Sequence, residues 1–493
     1  MSFKRTVAIV AAAGALAAVA VPAMAMENEF HGMYKMKYFL SNYENGGSGA
    51  IDPSGQGMTE AGPFTAKENL KTNNYFEQRA RLQYIAKASD DLRLVTHFEI
   101  DSVFGDKAQG LATRNNGGAL EADAVNLETK SVYLDFKIPS TPVRVTAGIQ
   151  PYKDAFKGVF LDADIAGINT VTKLGAATLG LGYLRAYDQS YFSTTTYNRG
   201  MYNLDILALN VSFALSKDLN VGAAYYLYSD DRGAKGAAVG STNIHTLGAN
   251  FDAKLGVVDL SGFAAMQQGL TKGATRVAYN GYAFNTAAKM AIGPGSLRTA
   301  ILWTTGDDGQ DGINTAWQSV RQSQNQVGVV PSGPSTNSYN DSHMMLLNRD
   351  VSMQGTSTDQ NLVNTTNNKD QGVILYSLGY DATITPKLYA NANVGMAWAS
   401  KTNHDGTFST DGLTAYPNKP YDVKTGGHAG TNYMGTEINL ETGYKMYDNL
   451  TASFQAAYVL LGGYYKNTVI NGNGDEKSPE NPYTARVVLS YAF

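Results

Sequence analysis

The stretch YTARVVLSYAF, residues 483–493, alternates strictly. Tyr483, Ala485, Val487, Leu489, Tyr491 and Phe493 fall on one side, and Thr484, Arg486, Val488, Ser490 and Ala492 on the other. Period two of this kind marks a strand with one apolar and one mixed face. The same alternation runs through the whole chain. FHGMYKMKYFL (30–40) sets Tyr34, Met36, Tyr38 and Leu40 against Lys35 and Lys37. YFEQRARLQYIAK (75–87) sets Phe76, Ala80, Leu82 and Tyr84 against Glu77, Arg79, Arg81 and Gln83. After Ser89-Asp90-Asp91, LRLVTHFEID (92–101) sets Leu92, Leu94, Phe98 and Ile100 against Arg93, His97, Glu99 and Asp101. Two such runs joined by a few turn residues predict a hairpin.

Seven more pairs follow, turning at Pro139–Pro142, Gly175, Ser216–Asp218, Lys254–Gly256, Gly293–Gly295, Pro386-Lys387 and Tyr447–Asn449. With the first and last segments they make 18 strand candidates, with short turns alternating with nine long connections. Segments 166–174 and 257–266 carry the weakest alternation, which leaves 16 strands open as well. An even count, short turns on one side and long loops on the other predict an antiparallel up-and-down transmembrane β-barrel. A soluble sandwich would scatter aromatics through a dry core. Here Tyr34, Tyr84, Tyr183, Tyr225, Tyr282, Tyr444, Tyr458 and Tyr491 sit near strand ends, as aromatic girdles at a bilayer interface do. A propeller would show a blade-length repeat, and there is none.

Composition and the start of the chain fit this picture. Residues 1–25 combine Lys4 and Arg5, an apolar run from Val7 to Val21 and Ala23-Met24-Ala25, the pattern of a cleaved export signal. That leaves one domain, residues 26–493. No second run of about 18 apolar residues predicts a spanning helix. Tyrosine (31) outnumbers phenylalanine (18), glycine reaches 51, and cysteine is absent, so disulfides and thiolate-held metals are excluded. The net charge is −4, and loss of the leader removes two bases and no acid. This mild acidity argues against a nucleic-acid partner.

With the apolar face toward lipid, the other face lines a lumen, and barrels of this strand number leave an aqueous channel. Lys35, Lys37, Arg79, Arg81, Arg93, Arg144 and Arg486 then fall on the first three strands, the fifth and the last, which closure brings together as one basic wall. Glu77, Glu99 and Asp101 are interleaved with it. The third connection, IQPYKDAFKGVFLDADIAGI (149–168), is compact. It carries Phe156, Val159, Phe160 and Leu161 as anchors for packing inside the barrel, and Asp154, Asp162 and Asp164 as negative charge.

In this connection, in the strand rhythm, in EQRARL with its hairpin, in GTEINLETGY…YDNLTASFQAAY and in the terminal Phe493, the chain resembles the general porins of the Gram-negative outer membrane. The resemblance implies a third loop folded into the lumen, with Asp162 and Asp164 as an acidic rim facing the wall of Arg79, Arg81, Arg93 and Arg144. It further implies that Tyr491 and Phe493 are read by the barrel-assembly machinery. It implies a homotrimer in outer-membrane lipid and lipopolysaccharide, and passive diffusion of small hydrophilic solutes and ions without a cofactor. The chain departs from the family at its seventh connection, about 305–371, which is long enough to cap or plug the mouth.

Catalysis finds little support. The six histidines are scattered, and only His97 has a carboxylate, Glu99, on its own face. GDDGQDG (306–312) and NGNGDE (471–476) resemble fragments of calcium loops but lack the twelve-residue frame. Three functions remain: a general diffusion porin, a substrate-selective channel for phosphate, carboxylates or sugars, and a barrel acting as scaffold, adhesin or receptor. Tyr133, Tyr226, Tyr228 and Tyr389 on lumen faces speak for the second. The basic wall favours anions, while the loop acids and the net charge oppose them.

Overall fold

The computed structural model describes residues 26–43, 72–105, 118, 127–188, 199–232, 240–273, 276–320, 339–348, 362–363, 366–368, 370–401, 431–466, 469–470, 476–478 and 480–493. The leader, His404 and His428, and most of NGNGDE lie outside them.

Alternation is realised as strands. They are β1 (Glu27–Ser41), β2 (Asn73–Ser89), β3 (Leu92–Val103), β4 (Glu128–Lys137), β5 (Val143–Lys153) and β6 (Asp162–Leu174). Next come β7 (Ala177–Asp188), β8 (Asn203–Ser216), β9 (Leu219–Asp230), β10 (Ser241–Leu255), β11 (Val258–Lys272) and β12 (Tyr282–Ile292). The last six are β13 (Gly295–Thr304), β14 (Val373–Thr383), β15 (Leu388–Ala399), β16 (Tyr433–Tyr447), β17 (Leu450–Leu461) and β18 (Tyr483–Ala492). Each pairs antiparallel with its neighbours, and β18 returns to β1 from Met33↔Ala492 to Ser41↔Thr484, closing an 18-stranded barrel. Both weakly patterned segments form full strands, so the 16-stranded alternative is set aside.

Strands of 10 to 17 residues are long enough to cross a bilayer at the tilt of a barrel. Closure removes the open edge that a terminal strand would present. The outer face is apolar and exposed: Phe30, Leu82, Leu134, Ile168, Leu207, Leu247, Leu440 and Val487 all point away from the lumen. The tyrosines expected at the interfaces include Tyr183, Tyr282, Tyr444, Tyr458 and Tyr491, all exposed on this face. Buried groups lie inside the barrel, and they include Lys37, Glu77, Arg79, Asp101, Glu437 and Arg486.

Candidate functional site: the lumen and its constriction

One hairpin leaves the wall and enters the lumen. Pairing of β5 with β4 stops at Val132↔Ile149, and pairing of β6 with β7 stops at Ala166↔Arg185. The β5–β6 ladder nevertheless continues to Lys153↔Asp162, so residues 150–153 and 162–165 pair only with each other. The departure point is a cross-strand glycine pair, Gly148↔Gly167, within the repeated tripeptide Ala-Gly-Ile (147–149 and 166–168). Gly148 has φ 136°, and a Cβ there would lie 2.3 Å from the Val132 carbonyl oxygen. Glycine in a strand interior commonly marks such a bend or close approach. The Gln150 amide donates to the Gly167 carbonyl at 2.9 Å, satisfying a group that the departing strands expose.

The hairpin tip, residues 154–161, is folded around one carboxylate. Asp154 accepts the backbone N–H groups of Phe156 (2.5 Å), Gly158 (3.3 Å), Phe160 (2.8 Å) and Leu161 (2.5 Å). Burial pushes its carboxyl up to about 6, against the pull of these four donors. Phe156 meets Tyr226 edge-on at 5.6 Å and Phe263 at 5.5 Å, while Phe160 stacks on Tyr226 at 5.2 Å. Tyr226 and Phe263 belong to β9 and β11, so the tip reaches several strands across the lumen.

The basic side chains do come together on β18, β1, β2, β3 and β5, interleaved with acids. Arg79 forks onto Asp101 at 2.7 and 2.5 Å and lies 3.2 Å from Glu99, which also takes Arg81. Asp135, an acid that the sequence reading did not single out, receives both Arg93 (2.8 and 2.6 Å) and Arg144 (2.6 and 3.0 Å). Lys37 and Arg486 are buried about the ring of Phe39, which stacks on Tyr75 at 4.8 Å. Lys35 sits in register with Arg79 and Ser490. Exposure separates two roles. The Arg79 side chain is 8% exposed, while those of Arg93 and Arg144 are each 39% exposed. Arg81, Arg93 and Arg144 therefore meet lumen water, and Lys37, Arg79 and Arg486 lie within the wall.

Asp162 and Asp164 stand on the hairpin stem. Asp162 pairs with Lys153 at 3.0 Å, and Asp164 pairs with Lys130 at the end of β4. Asp164, Lys130, Arg81 and Glu99 all act electrostatically on His97, which places the stem beside the basic wall. At the closing seam, Tyr491 stacks on Phe493 at 5.5 Å, and Phe493 exchanges two backbone hydrogen bonds with Gly32.

Described parts of the seventh connection also enter the lumen. Trp317, Val320, Tyr339, Met344 to Leu347, Leu362 and Val363 join the apolar cluster that holds Phe156 and Phe160. Val320 N–H donates to the Phe160 carbonyl at 2.9 Å, and Thr366 Oγ1 to that of Val159 at 2.8 Å. Lys157 bridges to Asp341 at 2.5 Å. On β16, Glu437 is fully buried and accepts three consecutive backbone N–H groups, those of Met345 (2.7 Å), Leu346 (2.9 Å) and Leu347 (2.7 Å). The run HMMLL (343–347), apolar within a polar loop, was the available sequence signal. In GDDGQDG, Asp307 and Asp308 accept N–H groups of their own loop, from Gly309, Gln310 and Thr315.

No family model matches the chain, and no curated protein matches its sequence. Solved structures do. Pseudomonas aeruginosa OpdK with vanillate matches with a TM-score of 0.50 and 10% identity over 95% of this chain and 98% of that one. An improved crystal structure of OccK1 (OpdK) from the same organism gives the same figures. Pseudomonas aeruginosa OccK8 (OprE) matches at 0.48, again with 10% identity over 95% and 98%. At such identity the likeness is one of fold. The chain has the closed 18-stranded barrel fold of these outer-membrane porins, the architecture that its strand rhythm predicts.

Proposed function

We propose that the chain is an outer-membrane channel for small hydrophilic solutes, selective rather than general, and that it favours anions, carboxylates first. The observation that carries this reading is the row of water-exposed guanidinium groups running down one wall, Arg81, then Arg93 and Arg144, opposite an apolar filling. Long connections face outward and short turns face the periplasm. An entering anion passes Arg81 near the hairpin and reaches Arg93 and Arg144 near the short-turn end.

Each arginine has five N–H donors; Arg93 and Arg144 each spend two on Asp135, and Arg81 bonds Glu99 through its Nε. The rest remain for a solute. The resident acids also keep a passing carboxylate from being held too tightly, since conduction needs sites that bind and release. Two segments in the lumen narrow the bore beyond what strand number sets, which favours a selective channel over a general one. OpdK has been crystallised with vanillate, an aromatic carboxylate, and that agrees with this solute class. Replacing Arg81, Arg93 and Arg144 together by alanine tests the reading: anion preference in a planar bilayer falls. An unchanged reversal potential would reduce the wall to a polar lining.

A second reading rests on the seventh connection. A barrel held shut by residues 339–348 would serve as a scaffold or receptor, and its mark would be absence of conductance from folded protein.

A further inference from the structure

A recess opens in the lumen wall beneath the hairpin. Its volume is about 290 Å³, at the small end of the roughly 300–1,000 Å³ typical of ligand sites. Inward positions of a barrel strand ordinarily carry a side chain into the lumen. On β7 the consecutive inward positions are Gly180 and Gly182, paired across β6 with Val171 and Asn169. Packing does not demand glycine at 180: a Cβ built there would have no neighbour nearer than 3.6 Å. Its missing side chain leaves open room, and Val171 beside it is 44% exposed although it faces inward.

The groups around this room are mostly polar, and all but Lys153 are neutral. Tyr133 stands on β4, its hydroxyl making no hydrogen bond to another described residue. Asn210 on β8 accepts from Tyr226 Oη at 2.7 Å and reaches Tyr152 Oη at 3.5 Å. Thr146 and Gln150 complete the polar edge. Arg144, outside the lining itself, is the cross-strand neighbour of Val171, which pairs in turn with Gly180, and Lys153 lines the upper edge. The recess thus offers hydroxyl and amide groups, two tyrosine rings and one cation, Lys153, with the Arg144 guanidinium on the neighbouring wall.

We infer that this recess is a binding station for a polyhydroxylated carboxylate, an acid of sugar type, whose carboxylate meets Arg144 while its hydroxyls bond Tyr133, Tyr152 and Asn210. The inference rests on the channel reading above and names the solute class within it. An apolar carboxylate would satisfy neither the Tyr133 hydroxyl nor the remaining hydrogen-bonding capacity of Tyr152 and Asn210, which is the stronger source of discrimination.

The test compares gluconate with hexanoate, equal in charge and carbon number, as blockers of single-channel current through the whole protein. Gluconate is expected to block roughly tenfold more tightly, the worth of one or two buried hydrogen bonds. Gly180→Val, which fills the recess, and Tyr133→Phe, which removes one hydroxyl, should each shrink that gap to about threefold or less. Equal block by the two acids, or a gap untouched by both variants, overturns the inference. So does tighter block by 4-hydroxybenzoate than by gluconate. If anion preference survives while the gap is absent, the station fails alone; if anion preference is absent, the channel reading fails first.

Discussion

Removing the Glu437 carboxylate should release the seventh connection from the lumen. Burial of Met344, Met345, Leu346 and Leu347, all 4% exposed or less, contributes about 6–12 kcal/mol at about 1.5–3 per side chain. Ordering the ten residues 339–348 costs about 10–20 kcal/mol at about 1–2 per residue. Apolar burial therefore falls short on its own. Three hydrogen bonds to a charged acceptor add about 5–9 kcal/mol, which brings the balance near zero and makes Glu437 decisive. Because the chain has no cysteine, Met345→Cys supplies a clean reporter. A membrane-impermeant maleimide should label it slowly in the parent and at least roughly tenfold faster after Glu437→Ala, the change expected from as little as ~1.4 kcal/mol. Single-channel conductance should rise in parallel. Labelling rates within twofold of each other would refute this anchoring role, and Glu437→Gln, which keeps one acceptor oxygen, should fall between.

Three further outcomes follow from the same geometry. Gly148→Val places a side chain against the Val132 carbonyl at positive φ and should cost more than about 3 kcal/mol, read as loss of the compact, heat-modifiable gel band after refolding. Asp154 has a folded-state pKa raised from 3.8 to about 6, so the folded hairpin holds a proton that the unfolded chain releases. Its contribution is full below about pH 4 and lost as pH rises through 6. Thermal stability relative to Asp154→Asn should decline across that window by up to about 3 kcal/mol. Asp135→Asn frees two arginines from their shared acid and should raise the anion-to-cation permeability ratio roughly two- to fivefold, measured by reversal potential.

Much of this was legible in the sequence, and the reason is period two. Alternation fixes which face each residue takes, so strand count, closure and the contiguity of Lys35, Arg79, Arg81, Arg93 and Arg486 follow from counting. The hairpin tip announced itself through Phe156, Val159, Phe160 and Leu161, too apolar for an open loop. Asp135 was hidden because a single aspartate in KSVYLDFKIP looks like any lumen acid until two arginines are seen to share it. Glu437 was hidden for a related reason. Its partners are backbone N–H groups about ninety residues away, and backbone donors leave no trace in side-chain identity. The recess at Gly180 is likewise defined by a missing side chain, which periodicity cannot tell from an ordinary weak position.

The most direct test is the reversal potential of single channels formed by the refolded protein across a tenfold gradient of potassium chloride. Discrete ohmic steps with a reversal potential toward that of chloride are expected, weakened when Arg81, Arg93 and Arg144 become alanine. Cation selectivity, or silence from a folded barrel, would contradict an anion-favouring channel at its root.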